Sequence, residues 1–214
     1  MLIGLTGPQG GGKSTIVENL EHMGYPIVKR KTARSILGEW NLTLHDVNND
    51  FELSRKFQEE VIKRKHADEM EAIEDPNRVW FIERTFVDVF VYTLVNFGKN
   101  NEYDTWLNEY YDRCCEYQKF YAGVGYIHGG LFPIRDDGVR GINKHYGNMV
   151  DLMMNDYVYK MTPEKQICKV TMFNLTERVN LIKNWAEGLK NPLNITCEIK
   201  TGPAYVKPLS FYNL

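Results

Sequence analysis

The chain has 214 residues, 43% of them hydrophobic and 25% charged, with a formal net charge of -2. That length suits one α/β domain with a sizeable core, and the near-neutral balance excludes a global basic field of the kind that grips nucleic acid. No run approaches the length of apolar sequence that a membrane-spanning helix needs, and Cys114, Cys115, Cys168 and Cys197 show neither a C-x-x-C pair nor metal-ligand spacing. Reduced thiols and a cytoplasmic location are expected.

In chain order, Met1 to Thr6 reads as a buried strand. Gly7-Pro8-Gln9-Gly10-Gly11-Gly12-Lys13-Ser14 then spells G-x-x-x-x-G-K-S, and a helix-forming stretch follows to Met23, closed by Gly24. Strand, glycine-rich loop and helix in that order make a phosphate-binding P-loop. The glycines let consecutive backbone N–H groups converge on one anion, and the helix N-terminus adds partial positive charge. Gly7, Gln9, Gly10, Gly11, Gly12, Lys13, Ser14 and Thr15 are therefore the expected ATP-binding residues. Lys13 reaches the β- and γ-phosphates, and the Ser14 hydroxyl is a ligand for Mg2+.

Tyr25 to Val28 reads as a second short strand and Thr32 to Trp40 as a helix. Phe51 to Ile73 is a long amphipathic helix with Phe57, Val61, Met70 and Ile73 at helical spacing. Its Lys63-Arg64-Lys65 run reads as a solvated face. Asp75-Pro76-Asn77 ends it, and Val79-Trp80-Phe81-Ile82 is an apolar strand running into Glu83-Arg84. Helices are expected over Val87 to Phe97 and Tyr103 to Phe120, a strand over Val124 to Ile127, a helix near Tyr146 to Lys160, a last strand over Ile167 to Met172, and a helix over Leu175 to Leu189. Strands alternating with helices imply a parallel sheet covered on both faces. Residues 1–190 form the expected domain; 191–214, with Pro192, Pro203 and Pro208, read as a C-terminal extension outside that alternation.

Among P-loop proteins, a guanine-specific GTPase needs an N/T-K-x-D motif, and Asn143-Lys144-His145-Tyr146 lacks its aspartate. A motor-type ATPase strand ends in Asp-Glu, whereas this one ends in Glu83-Arg84. A small-molecule kinase wants an acid at that strand end, an arginine beside it and an arginine-bearing lid. In a doubly wound sheet ligands sit outside the carboxyl ends of the strands. Glu83 is thus placed to accept an acceptor proton or orient metal-bound water, and Arg84 to clamp the acceptor or the transferring group. Lys29-Arg30-Lys31-Thr32-Ala33-Arg34 is a basic cluster suited to an anionic acceptor, with Arg30 and Arg34 four residues apart. Arg135 and Arg140 lie in a long loop, about 129–145, that reads as a lid hinged at Gly129-Gly130 and Gly138. His128, just before it, suits a structural hydrogen bond better than chemistry. The alternatives are solvated charges at each of these places and, for the whole chain, a regulatory ATP-binding module without an acceptor.

The combined pattern resembles the AAA-like P-loop nucleotide kinases, a family that includes the nicotinamide riboside kinase domain and bacteriophage nucleotide kinases. The residues that carry the resemblance are G-P-Q-G-G-G-K-S-T at the start, Ala33-Arg34 leading a helix, F-Q-E-E-V-I-K-R in the long helix, Glu83-Arg84, Tyr92, and Asp137-Gly138-Val139-Arg140. The resemblance implies a P-loop NTPase fold and a Mg2+- and ATP-dependent kinase. Its strand usually ends in Asp-Arg, so Glu83 is longer by one methylene. A glutamate that often precedes Ala33-Arg34 is here replaced by Lys29, Arg30 and Lys31, which favours an acceptor already carrying phosphate. The expected acceptor is a deoxynucleoside monophosphate, with catalytic Lys13, Glu83, Arg84 and Arg140, substrate contacts from Arg30, Arg34, Arg84 and Arg135, and metal contacts from Ser14 and Glu83. The alternatives are a phage DNA-modification kinase acting on 5-hydroxymethyluracil in DNA, and a nucleoside or nicotinamide riboside kinase. A homodimer is left open.

Overall fold

The computed structural model describes residues 1–29, 33–129 and 144–190. Arg30, the Arg135–Arg140 lid segment, Cys197 and the extension 191–214 fall outside the described residues. Four strands form one parallel sheet in the order β2-β1-β3-β4: β1 is Leu2–Thr6, β2 Trp80–Glu83, β3 Tyr121–Ile127 and β4 Ile167–Val170. The helices are α1 (Lys13–His22), α2 (Ala33–Trp40), α3 (Leu44–Asn49), α4 (Phe51–Glu74), α5 (Phe86–Phe97), α6 (Asp104–Gln118), α7 (Lys144–Met161) and α8 (Leu175–Lys190).

Strand alternation sorts the core into two layers. Ile3 and Leu5 of β1 and Phe81 of β2 join Ile16, Val17 and Leu20 of α1 and Val179, Ile182 and Ala186 of α8 on one face. Leu2, Trp80, Ile82, Val124 and Tyr126 join the apolar residues of α4, α5, α6 and α7 on the other. A third, smaller cluster of Ile36, Leu37, Val47 and Phe57 packs α2 and α3 onto α4. The expected α/β architecture, a parallel sheet with helices on both faces, is the observed one. No helix among the described residues is long and apolar enough to cross a membrane.

Three expectations are corrected. The segment Tyr25 to Val28 is not a strand: it makes one isolated parallel bridge, Ile27 to Phe81, and Pro26 contributes a carbonyl but has no N–H to extend a ladder. A short helix, α3, was not anticipated. Thr43 caps it reciprocally with Asp46, a T-x-x-D signal that a search for apolar periodicity passes over. Finally, α4 buries Ser54, Phe57, Gln58, Ile62, Lys65, Glu69 and Ala72 and leaves Met70 exposed. Its inward stripe keeps helical spacing but carries polar residues, so Lys65 belongs to the interior and not to a solvated basic face.

Candidate active site

The P-loop leaves the C-terminal end of β1 and enters α1. Its turn is built from glycines at φ values that side chains rarely adopt: 141° at Gly7, 81° at Gly10 and 79° at Gly12, the last being the N-cap of α1. Gly7 is also a point of close approach. A Cβ there would lie 2.2 Å from the Ile127 carbonyl oxygen at the end of β3, so only hydrogen fits between loop and strand. Lys13 is buried, and its Nζ donates to the carbonyls of Gly7 at 2.6 Å and Pro8 at 2.9 Å. The ammonium thus spans the loop it serves. Ser14 and Thr15 are exposed in the first turn of α1.

From the opposite end of the chain, Arg178 of α8 reaches behind this loop and donates through Nη2 to the Gly11 carbonyl. It is only 1% exposed, and burial holds its pKa below the usual arginine range. A buried guanidinium against a carbonyl of the loop adds positive potential beside the loop. Sequence reading did not single it out, because its partner is far away in the chain.

β2 pairs with β1 in parallel, with Leu5 opposite Glu83. Glu83 therefore sits on the neighbouring strand, two residues before the level of Gly7, and is half-buried, as is Arg84. Arg84 ends the strand abruptly. Its φ is 67°, and besides Asn41 it is the only non-glycine residue among those described with positive φ. Asparagine tolerates that region; arginine does so at a cost of about 1–2 kcal/mol. Three contacts hold the turn: the Arg84 N–H donates to the Leu5 carbonyl at 2.7 Å, Lys65 Nζ donates to the Arg84 carbonyl at 2.9 Å, and the Thr85 N–H donates to Asp88 Oδ2 at 2.8 Å.

Asp88 is a second residue that sequence reading missed. It closes a capping box with Thr85 at the start of α5 and accepts from the Thr6 hydroxyl at 2.6 Å. One buried carboxylate therefore joins the last residue of β1, immediately before the P-loop, to the turn that carries Glu83 and Arg84. Thr85-Phe86-Val87-Asp88 repeats the T-x-x-D capping signal and could have revealed it. Tyr92, one turn further along α5, lies under the Arg84 guanidinium, 5.7 Å from ring centroid to Cζ. Burial pushes its phenol pKa well up, against the opposing Arg84 charge. Arg84 is thus held between Tyr92 and, through its N–H, the Leu5 carbonyl of β1 just before the P-loop.

Arg34 is exposed in the first turn of α2, and Lys29 pairs with Glu21 of α1 at 3.3 Å. After β3 the chain passes beside the phosphate loop as far as Gly129. Asp151 of α7 accepts from the Tyr126 hydroxyl and from the Gly129 N–H, each at 3.0 Å. A Cβ on Gly129 would come within 2.8 Å of Pro8 Cγ. His128 rests edge-on against Tyr126 at 4.6 Å, its backbone N–H donates to the Val170 carbonyl, and burial lowers its pKa. Cys114 and Cys168 are buried free thiols, and Cys115 is a half-buried one. Burial pushes the Cys168 thiol up to about 12, so it is chemically inert at neutral pH.

Comparison with known proteins agrees with this architecture. Residues 2–148 match the AAA domain family (AAA_28). No curated protein matches the chain. Among solved structures, a deoxyadenosine kinase from M. mycoides with the products dCMP and a flexible dCDP superposes with a TM-score of 0.64 at 18% identity, covering 88% of this chain and 100% of that one. The same enzyme with bound dATP gives 0.65 at 17% identity, covering 87% and 100%. A NadR protein in complex with NR gives 0.65 at 10% identity, covering 87% of this chain but 51% of NadR, so this chain corresponds to about half of that protein. At these identities the structural likeness is one of fold.

Proposed function

The chain belongs to the AAA domain family of P-loop proteins, and from that premise we propose that it is an ATP-dependent phosphotransferase acting on a nucleoside- or nucleotide-type acceptor. The observation that carries the reading is the register of β2 on β1. It sets Glu83 and Arg84 on the edge from which the P-loop springs, which supports a shared location for donor and acceptor groups.

The roles follow from the residues. The backbone N–H groups from Gly10 to Ser14, at the head of α1, bind the β- and γ-phosphates, and Lys13 exchanges its loop carbonyls for phosphate oxygens. The exposed Ser14 hydroxyl, with Glu83 on the adjacent strand, fits Mg2+, which when bound withdraws charge from the phosphates. Arg84, braced on Tyr92, neutralises charge on the acceptor side. The segment after Gly129 begins against Pro8 and would carry Arg135 and Arg140 toward the γ-phosphate as a lid.

For the acceptor, the basic segment Lys29 to Arg34 supports a deoxynucleoside monophosphate, gripped by Arg30 and Arg34, with Glu83 orienting it. A second reading, a deoxynucleoside, is favoured by the Glu83 carboxylate, which is suited to take a proton from an attacking hydroxyl, and by the fold shared with deoxyadenosine kinase. Incubation with labelled ATP against nucleosides, deoxynucleoside monophosphates and hydroxymethylated duplex DNA separates these. Label on monophosphates supports the first reading and label on nucleosides the second. Transfer to DNA alone overturns both, and ATP binding without any transfer reduces the chain to a regulatory module.

A further inference from the structure

The stripe of α4 that faces the sheet carries an ammonium and a carboxylate where apolar residues would pack. Lys65 is 2% exposed and Glu69 0%, with Nζ and Oε1 2.5 Å apart. The Tyr121 hydroxyl of β3 donates to the same Glu69 oxygen at 2.8 Å. Phe86 and Tyr121 flank the ammonium, their ring centroids 5.0 and 5.9 Å from Nζ. Glu69 Oε2 is buried with no hydrogen-bond partner among the described residues. Buried ion pairs of this kind seldom stabilise a fold relative to apolar packing, so stability is a poor account of why the core holds one.

A further neighbour of the ammonium supplies another account. Lys65 Nζ donates to the carbonyl of Arg84 at 2.9 Å, and Arg84 is the described residue held at φ 67° without the side chain that tolerates it. Backbone strain of this type persists only where the surroundings over-determine it, and it clusters at functional sites. The N–H groups on either side of the strained residue are fixed by Leu5 and Asp88. The Thr85 N–H and the Arg84 carbonyl are the two ends of one planar peptide unit, which Asp88 and Lys65 hold together. Relaxation of Arg84 to an extended conformation would swing this carbonyl away and move the guanidinium off Tyr92.

We propose that Lys65, neutralised by Glu69, is a positioning residue that latches the Arg84 carbonyl and thereby holds Arg84 left-handed, with Glu83 and Arg84 set on the acceptor side of the cleft. The functional half of this proposal rests on the kinase reading above; the conformational half does not. Lys65 touches no substrate and acts through the Glu83-Arg84 turn, so its loss should strike turnover more than ATP affinity.

The test uses the full chain with Lys65→Met, which leaves Glu69 buried and unpaired, and Lys65→Met/Glu69→Gln, which removes both charges while leaving Tyr121 an acceptor. The single variant is expected to melt well below the parent. The double variant should recover most of that loss, yet keep a kcat at least about 10-fold below the parent, with an ATP Kd within about 3-fold. A crystal structure of the double variant should show Arg84 out of the positive-φ region. Recovery of kcat together with melting temperature would make the pair merely structural and overturn the proposal, as would Arg84 remaining near φ 67° without Lys65. If the parent itself transfers no phosphoryl group, the kinase reading fails, and the Arg84 conformation still decides the latch.

Discussion

Replacing Gly7 by alanine puts a methyl group where the structure has no room for one. The added Cβ would stand 2.2 Å from the Ile127 carbonyl oxygen and 3.1 Å from its carbon, with φ at 141°. Gly24→Ala is the matched control: it too has positive φ, 92°, but nothing lies within 4 Å of its Cβ. The control therefore meets backbone strain alone, about 1–2 kcal/mol. Gly7→Ala meets strain of about 1–3 kcal/mol and also an overlap with backbone, which can yield only by moving the loop or the end of β3, for about 1–3 kcal/mol more. At roughly 2–4 °C per kcal/mol for a chain of this size, Gly24→Ala should lower the melting temperature by about 2–8 °C and Gly7→Ala by about 4–24 °C. Because the displaced atoms belong to the phosphate loop, Gly7→Ala should also weaken ATP binding at least about 10-fold, while Gly24→Ala leaves it unchanged. Thermal melts and nucleotide titration on both variants decide the matter. Equal losses in the two, or a Gly7→Ala protein with parental ATP affinity, would refute the reasoning that close approach to β3 sets the loop's shape.

Other residues give sharper single outcomes. Lys13→Ala should reduce phosphoryl transfer by at least about 10²-fold, since it deletes the cation aimed at the phosphates; labelled-ATP transfer at saturating acceptor checks this. Asp88→Asn keeps the shape of the side chain but weakens its bonds to Thr6 and Thr85, and should cost about 1–2 kcal/mol in urea unfolding, the scale of a lost cap. Glu59 binds Arg113 through both oxygens at 2.7 Å, and that hydrogen bonding, outweighing partial burial, holds its pKa below the ordinary 4.5. A carboxylate with a depressed folded-state pKa contributes stability above its unfolded value and loses it as pH falls through the folded value. The melting-temperature gap between the parent and Glu59→Gln should accordingly be full at pH 7 and close progressively below pH 4.5; a gap that stays constant into acid would contradict the assignment.

What the sequence revealed and what it withheld divide along the range of the contacts involved. β1, the P-loop and α1 are specified by adjacent residues, and the strand that ends at Glu83-Arg84 is marked by an apolar run and a helix-breaking Asp-Pro-Asn before it. Their relative placement follows from a general property of parallel sheets. By contrast, the burial of Lys65 depends on Arg84 and Tyr121, and the role of Arg178 on Gly11, across long separations in the chain. No local pattern distinguishes such residues from solvated cations. Tyr25 to Val28 misled because apolar, β-branched residues suggest a strand, whereas ladder formation requires N–H groups that Pro26 does not have. Arg30, Arg135 and Arg140 lie outside the described residues.

Donor and acceptor groups are proposed to meet at the shared edge of β1 and β2, and Glu83→Gln is the decisive variant. The substitution keeps the side chain's size and one acceptor oxygen while removing the charge and replacing the other oxygen by a donor NH2. Steady-state transfer and ATP titration on this variant should show turnover reduced by about 10²-fold with the ATP Kd within about 3-fold of the parent. Full turnover in Glu83→Gln would place the acceptor elsewhere and contradict the account.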